Sequence, residues 1–296
     1  MSKNRNLKYQ FLNCIEQHFK ENLNKHSIKK VGKTGNEVFS YSQRKNLIDV
    51  ASNFSNYMKE NHAEIKQVKD INSQHIQEFL ATKADNCSQK TLEQYQSQFR
   101  KLENLVNDTY KANVNYHEVI VPKSAKNGGG KLRNDMLSNE NYNKLMTNST
   151  NQNFKNALEL SRAYGLRASE CAKLRGSDFK NDGLHIVDSK GKRSRVIQYE
   201  TKKQLEIKQK FENEERICNC RTQSLQQAFR REKLKNNIDS FSDFHASRKA
   251  YATERFQEYR KSGLSVQQSL DRVSHQLGHN DNRNDLMKEY ICCAIN

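Results

Sequence analysis

Apolar positions in the first part of the chain recur every three or four residues. In NLIDVASNFSNYMKENH, Leu47, Val50, Phe54 and Met58 fall on one stripe, the spacing of an amphipathic helix. In INSQHIQEFLATKA, Asn72 or Ser73 is placed to cap a helix carrying Ile76, Phe79 and Leu80. SQKTLEQYQSQFRKLENLVNDTY repeats the pattern with Leu92, Tyr95, Phe99, Leu102 and Leu105. With Lys and Arg on their outer faces, these stretches predict a small helical bundle. Further on, SNENYNKLMTNS and NFKNALELSRAYG are again helix-like. Then the period changes. GLHIVDSKGKRSRVIQYE alternates, is rich in Ile and Val, and turns about a Ser-Lys-Gly centre, which predicts a β-hairpin with a basic tip. Helices are predicted again over 202–217, 223–236, 245–261 and 265–277. The expected fold class is mainly α with a small β-sheet, an α+β protein.

Punctuation divides the pattern in two. The one proline, Pro122, is followed by SAKNGGGKLRND, where Gly128, Gly129 and Gly130 suit neither helix nor strand. With Lys126, Lys131 and Arg133 this reads as a flexible basic linker over 122–136. A helical domain is expected over 1–121, with an N-terminal extension at 1–38, and a second domain over 137–296.

Charge narrows the partner. Lys+Arg number 51 against 34 Asp+Glu, a formal net charge of +17 in 296 residues. Such an excess favours a polyanion, nucleic acid before an anionic membrane. No stretch is apolar for 18 residues, so no membrane span is expected. MSKNRNLKYQ lacks an apolar signal core, and a cytoplasmic protein is expected. The seven cysteines contain no C-x-x-C pair, so reduced thiols rather than a disulfide framework or zinc site are expected. His275 and His279, four apart, have neither an H-E-x-x-H context nor a nearby carboxylate or cysteine at ligand spacing. No metal and no cofactor are expected.

Four clusters carry candidate chemistry. In AYGLRASECAKLRGSDF, Arg167 follows an apolar helix at once and Glu170 lies one turn on, close enough to orient it. The hairpin tip holds Lys190, Lys192, Arg193 and Arg195. In DFHASRKAYATERF, His245 and Arg248 project from one helix face behind Asp243, a capping residue. The last cluster, LGHNDNRNDLMKEYI, ends on Tyr290, the only tyrosine after His279. Each alone also reads as ordinary: a surface ion pair, a solvated turn, a surface His–Arg pair, an aromatic in a closing helix.

Their order, Arg, Lys, His-x-x-Arg, Leu-Gly-His and Tyr, resembles the tyrosine recombinases, the phage-integrase-like site-specific recombinases. GLRASECAKLRGSDF is similar to the family's Gly-Leu-Arg-x-x-Glu segment, SKGKRSRVIQ to its lysine hairpin, HASR to its His-x-x-Arg box and LGHNDNRNDLMKEYI to its closing motif. The specific motifs span about residues 136–291. Residues about 40–120 match only as a helical, basic, core-binding-like domain. The interval from His279 to Tyr290 is longer than the family usually shows. Only six residues follow Tyr290, which leaves open how the tail would dock on a neighbouring subunit. Lys190 takes the catalytic lysine position by hairpin register, next to Lys192 and Arg193.

The resemblance implies a metal-independent DNA breaking-and-rejoining enzyme. Arg167 and Arg248 would grip the non-bridging phosphate oxygens through paired N–H donors, and His279 would donate a further hydrogen bond. Tyr290, a phenol of ordinary pKa ~10, would be the nucleophile, with His245 taking its proton and Lys190 protonating the leaving 5′ oxygen. Glu170 would orient Arg167 and carry no proton. Arg44, Lys45, Lys90, Arg100 and Lys101, with Lys192, Arg193 and Arg195, are candidates for DNA contact. The implied partners are double-stranded DNA and three further copies in a homotetramer on DNA; a free monomer and accessory DNA-bending or directionality proteins are compatible with it. The alternatives are type IB topoisomerase-like relaxation and a non-catalytic basic DNA-binding protein.

Overall fold

The computed structural model describes residues 6–21, 36–126, 136–189, 193–239, 243–279, 284–293 and 295. The chain forms two compact units, Met1–Gly130 and Lys131–Asn296. The triple glycine, Lys190 and Lys192 lie outside the described residues.

In the first unit, α1 (Leu7–His18), α2 (Tyr41–Asn61), α3 (Ser73–Ala84) and α4 (Gln89–Tyr110) bury the stripes that the spacing predicts. Each start has a side-chain cap. Ser40 accepts from the Gln43 N–H at 3.1 Å, Asn72 from His75 at 3.2 Å and Ser88 from Thr91 at 3.3 Å, each satisfying a donor that the first turn leaves orphaned. Phe54 is the centre of the core, with its ring 5.2 Å from Phe79 and 5.0 Å from Phe99. The stretch expected to be an extension instead supplies α1, whose Leu7, Phe11, Cys14 and Ile15 are buried in the same cluster. Those four positions fall on one helical face, and their burial anchors the segment.

In the second unit, α5 (Asn139–Asn148), α6 (Gln152–Tyr164) and the one-turn α7 (Ala168–Cys171) precede a three-stranded antiparallel sheet. Its strands are β1 (Phe179–Lys180), β2 (Gly183–Ile186) and β3 (Arg195–Ile197), paired as Phe179↔Leu184 and Ile186↔Arg195. Then come α8 (Lys202–Phe211), α9 (Thr222–Lys235), α10 (Phe244–Lys261), α11 (Val266–Gln276) and α12 (Asn284–Tyr290). The helix expected over 202–217 stops at Phe211, where the chain turns so that Glu214 accepts from the Gly176 N–H at 2.7 Å. Two apolar clusters form, and α10 serves both. Phe244 and Ala246 pack with Phe154 and Phe229; Tyr251, Ala252 and Phe256 pack with Leu270, Leu277, Met287 and Tyr290. Among the described residues no helix is long and apolar enough to cross a membrane.

Candidate active site

Helix α6 ends at Gly165, and the geometry there admits no side chain. Its φ is +63°, and a Cβ would lie 2.5 Å from the Tyr251 ring, so glycine alone fits. The turn delivers Arg167 to the N-cap of α7. Glu170, one turn on, folds back. Its carboxylate accepts from the Arg167 backbone N–H at 2.9 Å and from the Arg167 guanidinium at 2.8 Å.

That carboxylate, with a side chain only 3% exposed, is the hub of the site. Both terminal nitrogens of Arg195 donate to it at 2.9 Å, Ser189 donates its hydroxyl to it, and Arg248 approaches to 3.9 Å. Burial by itself would raise the Glu170 pKa. The hydrogen bonds and charge of Arg195, with the charge of Arg248, outweigh it and hold the carboxyl well below the usual carboxylate range. Three guanidiniums thus share one anion.

Arg248 is fully buried. It rises from α10, whose first turn is capped by Asp243 accepting from the His245 N–H at 2.7 Å. Its guanidinium donates to the Gly165 carbonyl and, at 2.5 Å, to the Leu277 carbonyl. It therefore staples the end of α6 to the end of α11, where C-terminal carbonyls lack helical partners. Burial and the neighbouring Arg167 push its pKa down to about 10, which leaves it charged at neutral pH.

Tyr290 closes the site from α12. Its ring centroid lies 4.9 Å from that of His245 and 5.3 Å from that of His279, and the Arg248 guanidinium carbon sits 5.6 Å from it. The residue is 7% exposed, seated beside Met287 and Ile291. His279 Nε2 is 3.5 Å from the Arg248 terminal nitrogen. Side chains from α10, from the turn after α11 and from α12 thus converge on one phenol ring.

His275 is exposed and α11 ends at Gln276, with Gly278 at φ +68° before His279. The two histidines are therefore not on one helical face. Among the described residues no group of three or more potential metal ligands occurs, and all seven cysteines are free.

The candidates for DNA contact divide. Lys45, Lys90, Arg100 and Arg193 are exposed, and Lys101 is half-buried. Arg44 is gripped by Glu16, which accepts from it at 2.5 and 3.1 Å. Arg195 differs from the others. Its side chain is 6% exposed, and its guanidinium donates to Glu170 and to the Gln276 carbonyl.

Among solved structures the chain is similar to a lambda integrase tetramer bound to a Holliday junction, at 17% identity and a TM-score of 0.64, over 95% of this chain and 80% of that one. It is similar to the XerH site-specific recombinase bound to palindromic difH substrate in a post-cleavage complex, at 14% identity and a TM-score of 0.62, over 96% and 90% of the chains. It is also similar to the Tn1549 transposon integrase in complex with a circular intermediate DNA, at 12% identity and a TM-score of 0.59, over 98% and 96%. No protein-family model matches the sequence, and no curated protein sequence does. The fold is that of the tyrosine recombinases.

In this tyrosine-recombinase fold, the site includes residues that the motifs do not single out. A cavity of about 430 Å³ beside the arginines is lined by Arg167, His245 and Arg248 on one side and by Thr222, Gln226 and Arg230 of α9 on another. Those three recur at i, i+4 and i+8, so they form one polar helix stripe. A second cavity, of about 660 Å³, opens on the other flank of Arg167 toward Glu170, Lys173, Arg175 and Ser189. Arg167 stands between the two spaces.

Proposed function

We propose that the protein is a site-specific DNA recombinase that cuts and rejoins DNA through a 3′-phosphotyrosyl intermediate at Tyr290. The observation that carries this reading is the meeting of Tyr290 with His245, His279 and Arg248, beside an Arg167 held by Glu170. A phosphodiester repels a nucleophile because its oxygens are negative. Arg167 and Arg248 offer guanidinium donors to the oxygens on which charge grows, and His279 adds a hydrogen bond. Each such preorganised donor is typically worth ~3 kcal/mol in barrier. His245, whose ring packs against Tyr290, accepts the phenol proton as the phenolate oxygen bonds to phosphorus. The bond to the 5′ oxygen then breaks, and Lys190, assigned from its place in the hairpin motif, returns a proton to that oxygen. Attack by a second 5′-hydroxyl reverses the steps, so the phosphodiester is conserved. In this reading Glu170 orients the arginines, residues 137–296 are the catalytic domain, and residues 1–121 help to grip the duplex through Lys and Arg. The cavity stripe on α9 borders the DNA. Joining two duplexes requires four such sites, hence a homotetramer on DNA.

The test uses a randomised pool of nicked duplexes. Wild-type protein should yield SDS-resistant protein–DNA adducts from which a preferred sequence is read. On that sequence Tyr290→Phe should bind with unchanged affinity and form no adduct. A persistent adduct would remove Tyr290 as nucleophile, and no adduct from wild type would remove the function. Relaxation of supercoiled DNA with no sequence preference would assign a type IB topoisomerase instead.

A further inference from the structure

We infer that Arg195 is a positioning residue that sets His279 against the catalytic arginines, an inference that rests on the function proposed above. Every donor-bearing nitrogen of its guanidinium has a fixed acceptor. The two terminal nitrogens hold the two oxygens of Glu170 at 2.9 Å, and Nε donates to the Gln276 carbonyl at 2.8 Å. The next carbonyl along the chain, Leu277, is held by Arg248. Two arginines, one from β3 and one from α10, therefore clamp successive carbonyls at the end of α11, and Glu170 ties both to Arg167.

The turn that follows is shaped around Arg195. Gly278 takes φ +68°, and a Cβ there would lie 2.9 Å from Arg195 Cδ and 3.0 Å from its NH1. Gly278 and His279 then donate backward to His275 at 2.9 Å and Ser274 at 3.0 Å. The position of the imidazole is thus determined by a backbone that wraps the Arg195 side chain. A lysine could not replace it, because one ammonium cannot hold a carboxylate and a separate carbonyl in a planar fork. With all three of its acceptor oxygens inside the protein, Arg195 has no guanidinium nitrogen left free for the phosphate, and it serves the reaction by positioning His279.

The experiment is a double-mutant cycle on adduct formation, with wild type, Arg195→Gln, His279→Ala and the double variant. Rates are measured well below each melting temperature on the sequence recovered above. Arg195→Gln should slow adduct formation on the order of 10²-fold, the scale of an ångström-sized misplacement. Added to His279→Ala it should slow the reaction less than it does in the wild type, because the part of its effect that runs through His279 is already gone and only the part through Glu170 remains. DNA affinity and the salt slope of binding should match wild type, as a phosphate contact would not allow. Fully multiplying losses, or a shallower salt slope, would overturn the inference. If Arg195→Gln does not fold, Gly278→Ala perturbs the same contact from the other side and should show the same non-additivity with His279→Ala. A wild type that forms no adduct defeats the proposed function itself; an active wild type with independent losses defeats this inference alone.

Discussion

Helices α4 and α10 are both long and both central to the core of their unit, yet they are built on opposite principles. In α4, Leu92, Phe99, Leu102, Leu105 and Val106 make a buried apolar stripe, with Glu103 the one buried charge. In α10, Ser247, Arg248, Lys249, Thr253 and Arg255 are buried among Ala246, Ala250, Tyr251, Ala252 and Phe256. An apolar stripe is stabilised by area removed from water, about 25 cal/mol per Å², and accepts many partners of suitable volume. A buried guanidinium tolerates only partners fixed in place. Arg248 has the carbonyls of Gly165 and Leu277, and Arg255 has Glu200 and Glu258. The first helix specifies that a bundle forms. The second specifies where individual atoms stand, which is what a catalytic site needs.

Substitution should separate the two designs. Arg248→Met is expected to cut adduct formation on the order of 10³-fold, and to cost about 3 kcal/mol of stability because Glu170 loses a cation and two buried carbonyls lose their donor. Phe99→Ala, in α4, should cost a similar ~3–5 kcal/mol by leaving a cavity, with the rate per folded molecule unchanged. Adduct kinetics normalised to folded fraction by circular dichroism distinguish them. A rate defect in Phe99→Ala, or a retained rate in Arg248→Met, would erase the contrast.

The pH dependence of stability sharpens it. Glu170 has a depressed pKa in the folded protein, so its contribution is fully present above the ordinary glutamate range near ~4.3 and is lost as the pH falls through the lower folded value. Wild type should therefore lose melting temperature on acidification below about pH 5 more steeply than Glu170→Gln. Parallel curves would show that the hub carboxylate carries no such linkage. The smallest effect is expected at Arg44→Ala. That side chain pairs with Glu16 at the surface, where side-chain entropy and salt cancel most of the attraction, and thermal melts should not distinguish it from wild type.

The same contrast explains what the sequence reveals. The stripes of α2, α3 and α4 are legible because burial of one face imposes a period near 3.6. Helix α1 carries an equal signal in Leu7, Phe11, Cys14 and Ile15, set beside a basic N-terminus that by composition resembles an extension. For α10 the legible features were its Asp243 cap and the His-x-x-Arg spacing, since charges interrupt any apolar stripe. Arg195 belongs by sequence to the basic hairpin tip, a candidate for DNA contact, although strand alternation puts it on the same face as Ile197, which is buried. What no local pattern could supply was its partner, because the link to Glu170 spans 25 residues of chain. Glu170 itself was half legible: its spacing to Arg167 predicts one pairing, while the other two depend on tertiary register.

The sharing of Glu170 has an electrostatic consequence for the reaction proposed here. Arg167, Arg195 and Arg248 around one carboxylate leave this cluster with an excess of two positive charges before any substrate arrives. A phosphodiester brings a single negative charge, and its five-coordinate state brings two. Neutrality would be reached only at the summit of the barrier, so the cluster is matched to the fleeting geometry more closely than to resting DNA, and attraction left over in the ground state would be released as the bond changes proceed.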